Sequence, residues 1–363
     1  MTKKLLLKEN EEEARERLRA FWAGSSLGRP VVLATVRGKE IAPLPGESER
    51  FPVAKANEWD PRFTEEATDW WLTHTTDVWL GESMPRACFG PGSSLVLPAV
   101  WVGADYELDG GTAWIKPIDG LYERPLPVFD PRAPSIHATE ECMMAMVRAV
   151  KGRAFVNPPL LMDGLTTLSM LRTPEQLCLD LLERPDDVRR WSDALTSLFV
   201  EGYDYFYNIL LRHGHGEAGA FFILMAEGRM EAVECDFAVM MSPKQFERFA
   251  LPDLLRMTNY LEYSLYHLDG TCQMRFLDLL RTLPKLTGIQ WNPEPPAGSP
   301  LKWIGAFKEI RKRSFCLTVS CGTVDEAVGV TRELGPDGLA LFLPSFDTRG
   351  EAERAIERIE KAV

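Results

Sequence analysis

The sequence predicts an α/β fold in which eight parallel strands close into a single (β/α)8 TIM barrel, and three observations carry that expectation. From about residue 138 onward, short apolar runs rich in Val, Ile, Leu and Phe alternate with amphipathic, helix-like segments. Over the whole chain such runs fall at 30–36, 77–81, 155–162, 220–226, 263–268, 286–291, 315–320 and 339–344. Strands buried on both faces and joined by helices form a parallel sheet, and eight such units can close on themselves. The third observation argues against the competing doubly wound open sheet. No glycine-rich dinucleotide turn follows the first strand, where a nucleotide fold would place one.

The elements follow in order. Residues 8–23 place Ala14, Leu18, Phe21 and Trp22 near a helical period among acids and arginines, an amphipathic surface helix. GRPVVLATVRG (28–38) is a buried strand ending at Arg37, and the Pro-, Glu- and Asn-rich stretch 39–63 is a long loop. TEEATDWWLTHTT predicts a helix capped by Thr64, and DVWLGE (77–82) a strand. Residues 83–136 are rich in Gly and Pro and predict an insertion of loops with a small hairpin. Beyond it come the helix ATEECMMAMVRAVKG, the strand ending at Asp163, two helices parted by Pro185, and the strand AFFILMAEG. Ser242-Pro243 starts a further helix, with Pro252 as a kink or junction. SLYHLDG, LTGIQW, FCLTVSCG and GLALFLP are the last four strands, each followed by a helix. The domain expectation is one barrel over 1–363, with an N-terminal helical extension (1–27) and the insertion at 83–136.

Composition narrows the function. The 363 residues are 45% hydrophobic and 26% charged, with a net charge of −12, which argues against a nucleic-acid binder needing a basic face. The charged start LLLKENEEEARERLRAF does not read as a secretory signal, and no apolar run approaches a membrane span. Seven cysteines, at 88, 142, 178, 235, 272, 316 and 321, show no CxxC spacing. The expectation is a cytoplasmic protein without a disulfide framework, membrane or nucleic-acid partner.

A parallel barrel builds its site from the loops at the carboxyl ends of its strands. That rule selects Arg37, Glu82, Asp163, Glu227 with Arg229, Asp236, His267 with Asp269, Gln290-Trp291-Asn292, Ser320-Cys321, and Ser345 with Asp347. His267 and Asp269 are the sharpest pair, because residues i and i+2 of a strand share a face. An imidazole and a carboxylate so placed can share a proton or hold one divalent metal. The bland alternative is a histidine bonded to a backbone carbonyl and an aspartate capping the next helix. RHGHGE (212–217) reads as a helix stop, and the tryptophans at 70–71 as core.

Three segments carry a family resemblance: ERPDDVRRWSDALTSLFVEGYDY, CDFAVMMSPKQFERFALPDLLR, and YHLDG followed by FLDLLRTLPKLTGIQW. Over roughly residues 25–360 the chain resembles the uroporphyrinogen decarboxylase superfamily, closest to a bacterial branch sometimes labelled trimethylamine corrinoid protein-like. The resemblance implies a (β/α)8 barrel, a homodimer, and either tetrapyrrole decarboxylation or zinc-dependent methyl transfer between corrinoid proteins and thiols. The decarboxylases carry an RQAGRY loop after the first strand, where this chain has LATVRGKE with Arg37 alone. Arginine forks are the natural clamp for carboxylates, so their loss weakens the porphyrin reading. The methyltransferases hold zinc by a His-x-Cys pair and a later cysteine; here His267 matches, and Asp269 and Ser345 stand at the cysteine positions.

The expected function is a small-molecule enzyme of the methyltransferase-like branch, acting on a small molecule or a corrinoid-bound methyl group. His267, Asp269 and Asp236 are its catalytic candidates, and His267 and Asp269 would hold zinc or another divalent ion, with Asp236 or Glu234 as further candidate ligands. Arg37, Glu82, Asp163, Trp291, Cys321 and Ser345 are the substrate-contact candidates. A decarboxylase or lyase with Arg37 as anchor, and a non-catalytic barrel binding a ligand or a corrinoid partner, are the alternatives.

Overall fold

A computed structural model of the chain describes residues 5–38, 59–87, 96–109, 112–219 and 224–363. Its centre is a seven-stranded sheet whose strands are, in chain order, β1 (Val31–Arg37), β2 (Thr76–Gly81), β9 (Met230–Val233), β10 (Tyr263–Asp269), β11 (Gly288–Asn292), β12 (Cys316–Ser320) and β13 (Leu339–Phe342). The spatial order is β2-β1-β13-β12-β11-β10-β9, and all neighbours are parallel except β2 against β1. The last strand thus returns to pair with the first, through Val31 with Ala340 and Leu33 with Phe342. The numbers between are taken by three short ladders: β3 (Arg86–Ala87) parallel to β6 (Phe155–Val156), the hairpin β4 (Tyr106–Asp109) with β5 (Thr112–Ile115), and the hairpin β7 (Glu217–Gly219) with β8 (Met225–Glu227). Among the described residues the strands do not form one closed hydrogen-bonded ring. The architecture is α/β with a mostly parallel central sheet and helices.

Three strand expectations need correction. The run at 77–81 is a strand, but as β2 it is the antiparallel edge of the sheet and not a parallel member. At 155–162 only Phe155 and Val156 enter a ladder, because Asn157-Pro158-Pro159 removes two donors and turns the chain. The run at 220–226 lies partly outside the described residues, and its tail belongs to the β7–β8 hairpin. The parallel strand of that region is β9, four residues long and less apolar than the run before it, so hydropathy favoured the wrong segment.

Local sequence chemistry explains the helices. Among the described residues, three carry a capping box, at Ser242 with Gln245, Thr323 with Glu326 and Thr348 with Glu351, each side chain satisfying the other's backbone amide. Asp60, not Thr64, caps the helix Pro61–His74. A π-helical turn, Phe246–Ala250, runs into the helix Leu251–Tyr260, so Pro252 sits at the expected junction. The long helix Pro185–Arg212 stops at His213-Gly214, with Gly214 at φ 84, as RHGHGE predicts. Within the described residues, no helix is long and apolar enough to cross a membrane.

The N-terminal helix Glu11–Trp22 packs against the amino ends of β10 and β12. Trp22 donates its indole N–H to Met225 O (2.9 Å) and packs on Tyr263 at the start of β10, while Cys316 Sγ, at the start of β12, donates to Phe21 O (3.2 Å). Arg15 anchors the same helix by reaching Glu11, Glu217 and Glu227 at 2.7, 2.8 and 2.9 Å. Just before it, buried Lys8 donates to Trp79 O and Gly81 O, which covers open carbonyls of the edge strand β2. Burial lowers that ammonium to about 8.

Between the helices Pro185–Arg212 and Leu251–Tyr260, Asp253 is buried, accepts from Ser192 Oγ, and is pushed up to about 6 by that burial. Its folded pKa exceeds the unfolded value of about 3.9, so burial costs nothing below that pH and the full penalty above about 6. Asp253→Asn should therefore gain stability relative to the parent at pH 7.5, an advantage that shrinks toward pH 4. Thermal unfolding of both proteins across that range measures it.

Candidate functional site

The site is read from the register of β9, β10, β11 and β12. Parallel partners share a face, and His267 pairs with Gln290, Gln290 with Thr318, and Asp269 with Asn292. These side chains form two polar layers at the carboxyl end. Below them the same face carries Leu265, Gly288 and Cys316, packed so closely that a Cβ on Gly288 would lie 2.6 Å from Cys316 O. Ala232 of β9 pairs with Leu265, so continuing the alternation brings Glu234 to the face of His267, and the turn that follows carries Asp236 to the same place.

One ligand atom each from Glu234, Asp236 and His267 lies within 4.8 Å of the others. Glu234 and His267 are buried and Asp236 is half-buried. Asp236 begins the turn Asp236–Met240, which two clasps hold. Its amide donates to Thr166 Oγ1 (3.0 Å), and Arg275 donates to Met241 O (2.7 Å) and Val239 O (3.1 Å). The turn after β10 is held likewise: Gln273 bridges Tyr266 OH and Asp269 O, and Glu294 accepts from the amide and hydroxyl of Thr271. His267 Nδ1 is in direct hydrogen-bond contact with Gln290 Oε1, and Gln290 Nε2 donates to Trp291 O (3.3 Å). Asp269 stands 3.9 Å from His267 Nε2 and accepts from Asn292 Nδ2 at 2.6 Å. It does not cap the following helix, whose N-cap is Gly270.

The electrostatics are those of acids crowded out of water. Burial pushes the Glu234 carboxyl well above its ordinary range, and Asp236 and Asp163 add like-charge repulsion. Asp236 is raised by burial and by Asp269, with His267 acting the other way. Asp163 is raised to about 7 by burial, although its Oδ1 caps the helix Gly164–Arg172 by accepting from Leu165 and Thr166. Asp163 Oδ2, Asp236 Oδ1 and Thr318 Oγ1 are buried without a hydrogen-bond partner. Unpaired buried oxygens of this kind cost free energy unless a ligand satisfies them.

Several candidates lie elsewhere. Glu82 does not reach the cluster: its carboxylate is fully buried against Arg29, with both oxygens at 2.8 Å from the guanidinium, and accepts from the Val32 amide at 2.7 Å. Trp291 points the opposite way, into the helical layer, where it packs on Trp303 and Phe307. Cys321 is buried and its thiol is pushed up to about 12, which suits packing and not a thiolate ligand. Arg37 and Ser345 both lie near the end of β1, each with its own partner: Arg37 pairs with Asp347 at 3.3 Å, and Ser345 Oγ bonds Thr35 Oγ1 at 2.7 Å. Of the ligands expected from the sequence, His267, Glu234 and Asp236 converge, and Asp269 stands beside them. Gln290 and Asn292 stand at the end of the sixth strand run, where the strand-end rule looks, whereas Thr318 and Thr166 fall outside that rule. For the three on β11 and β12 the signal is their in-register position beside His267 and Asp269, which needs the strand alignment. A cavity of about 400 Å³ lies apart from this cluster, lined by Leu7, Trp79 and Ile356. Arg349, also at that cavity, is already paired with Glu9 and Glu353.

Fold and cluster together define an α/β protein with a carboxylate–histidine centre at the carboxyl end of its parallel strands. Compared with known proteins, the chain matches no family model and no curated protein. Among solved structures it is similar to a methyltransferase from Methanosarcina mazei, with a TM-score of 0.60 and 15% sequence identity. That likeness covers 96% of this chain and 98% of the other, so the two share a fold over nearly their whole length.

Proposed function

We propose that the chain is a methyltransferase-like enzyme of the uroporphyrinogen decarboxylase superfamily, a (β/α)8-type barrel whose mouth holds one divalent ion on Glu234, Asp236 and His267. The observation that carries the reading is the approach of those three ligand atoms to within 4.8 Å at the ends of adjacent strands. The near full-length likeness to a methyltransferase supports the reaction class. The pairing of β13 with β1 supports barrel-like closure. The residues fit an ion: a ring nitrogen and two carboxylates suit zinc and similar divalent metals, and a three-ligand set leaves a position open for a substrate. Asp236 Oδ1 is buried and unpaired, and a cation would relieve the repulsion that raises Glu234.

Bound there, such an ion would polarise a nucleophile and ease its deprotonation. Methyl transfer moves CH3 from a donor to that nucleophile, and the nucleophile's proton must go to a base. Asp269 is placed to take it: partly exposed, beside His267, and oriented by Asn292. The donor or acceptor is a small molecule or a corrinoid-bound methyl group on a partner protein. A carboxylated substrate finds less support, because the strongest charges acting on Glu234 are all acids and Arg37 is engaged by Asp347.

The test is turnover. Full-length protein loaded with zinc is offered methyl-corrinoid with thiol, amine and alcohol acceptors, and loss of the methyl-corrinoid absorbance is followed. We expect transfer with at least one pair, and a fall of about 100-fold or more in Asp269→Asn. A metal-loaded protein that transfers no methyl group with any pair would overturn the reading.

A further inference from the structure

We propose that Gln290 is the positioning residue that fixes the tautomer of His267, holding the proton on Nδ1 and leaving the Nε2 lone pair for the cluster. The inference rests on the metal reading for its consequence, not for its geometry. His267 and Gln290 are register partners on β10 and β11, both buried, with Nδ1 and Oε1 in direct contact.

Which end of the amide faces the ring follows from its other neighbour. Gln290 Nε2 lies 3.3 Å from the carbonyl oxygen of Trp291, which can only accept. Reversing the amide would set two oxygens against each other in a buried place and would turn an N–H toward the ring. The backbone carbonyl therefore fixes the amide, and the amide oxygen accepts from Nδ1–H. Nε2 is then the ring's lone-pair atom, and it is the atom 3.9 Å from Asp269. A ligating histidine needs this arrangement, because its second nitrogen sets orientation and basicity through the group it bonds.

The choice of an amide is itself informative. A carboxylate at 290 would also accept from Nδ1–H, but it would add another acid to a region already crowded by Asp163, Glu234, Asp236 and Asp269. Glutamine supplies the acceptor without the charge.

The experiment reads the tautomer in metal-free, full-length protein by long-range proton–nitrogen correlation on labelled histidines above neutral pH. The chain has five histidines, and the His267 signals are assigned by their loss in His267→Gln. We expect a protonated Nδ1 in the parent and in Gln290→Glu. Gln290→Met should shift His267 toward the Nε2–H form and weaken zinc affinity about 10–100-fold. A protonated Nε2 in the parent, or an unchanged tautomer in Gln290→Met, overturns the proposal. The readout needs no metal. If the parent shows the Nδ1–H form yet takes up no zinc, the metal reading falls and the role of Gln290 stands.

Discussion

Replacing His267 by alanine is expected to weaken zinc binding by more than about 100-fold, beyond the 10–100-fold that outer partners of a metal site cost. The imidazole is the one nitrogen in a cluster otherwise made of acids, and it acts on Asp236 in the direction opposite to burial and Asp269. Without it, two carboxylates remain to hold the ion, short of the three protein ligands usual for catalytic zinc. The fold should tolerate the change, because His267 lies in the polar layer above the packed Leu265–Gly288–Cys316 layer. Titration calorimetry of parent and variant measures the effect, with circular dichroism as the check on folding. Affinity within about threefold of the parent would remove His267 from the ligand set.

The second large effect is on stability. Glu82→Ala should cost about 3–5 kcal/mol, the range for removing one partner of a buried ion pair. Arg29 would keep Pro30 O but lose both carboxylate contacts, and the Val32 amide would lose its acceptor. Glu82→Gln keeps an oxygen for Val32 and should cost less. Chemical denaturation of the three proteins gives the order. Zinc affinity of the folded Glu82→Ala protein should match the parent, because Glu82 serves the amino half of β1 and not the cluster. A variant as stable as the parent would show that this pair contributes nothing net.

Glu82 also illustrates what a sequence can and cannot reveal. The rule that polar residues at strand ends line the mouth presumes parallel strands, and Glu82 follows an antiparallel one, so it arrives at the other end of β1. Hydropathy made the same kind of error at β9, where the longer apolar run 220–226 drew the strand assignment away from Met230–Val233. Where strand and helix alternate regularly, from β10 onward, the elements were legible to within a few residues. His267 and Asp269 were legible too, since period-2 alternation alone places them on one face. Glu234 and Asp236 were legible as candidate ligands from the polar stretch after the apolar run. What was not legible is that they, and not Asp269, make the closest set: they follow β9, 31 or more residues from His267, and the β9–β10 register sets them beside it. Trp291 failed for the complementary reason: it sits at a strand end but on the odd face, against Trp303 and Phe307.

The central claim is that Glu234, Asp236 and His267 together hold a divalent ion. Anomalous diffraction from crystals of the full chain grown with zinc tests it most directly. The account predicts a single strong peak at about 2.0–2.2 Å from one oxygen of each carboxylate and from His267 Nε2. A peak bound elsewhere, or none at those three residues at saturating zinc, would contradict it.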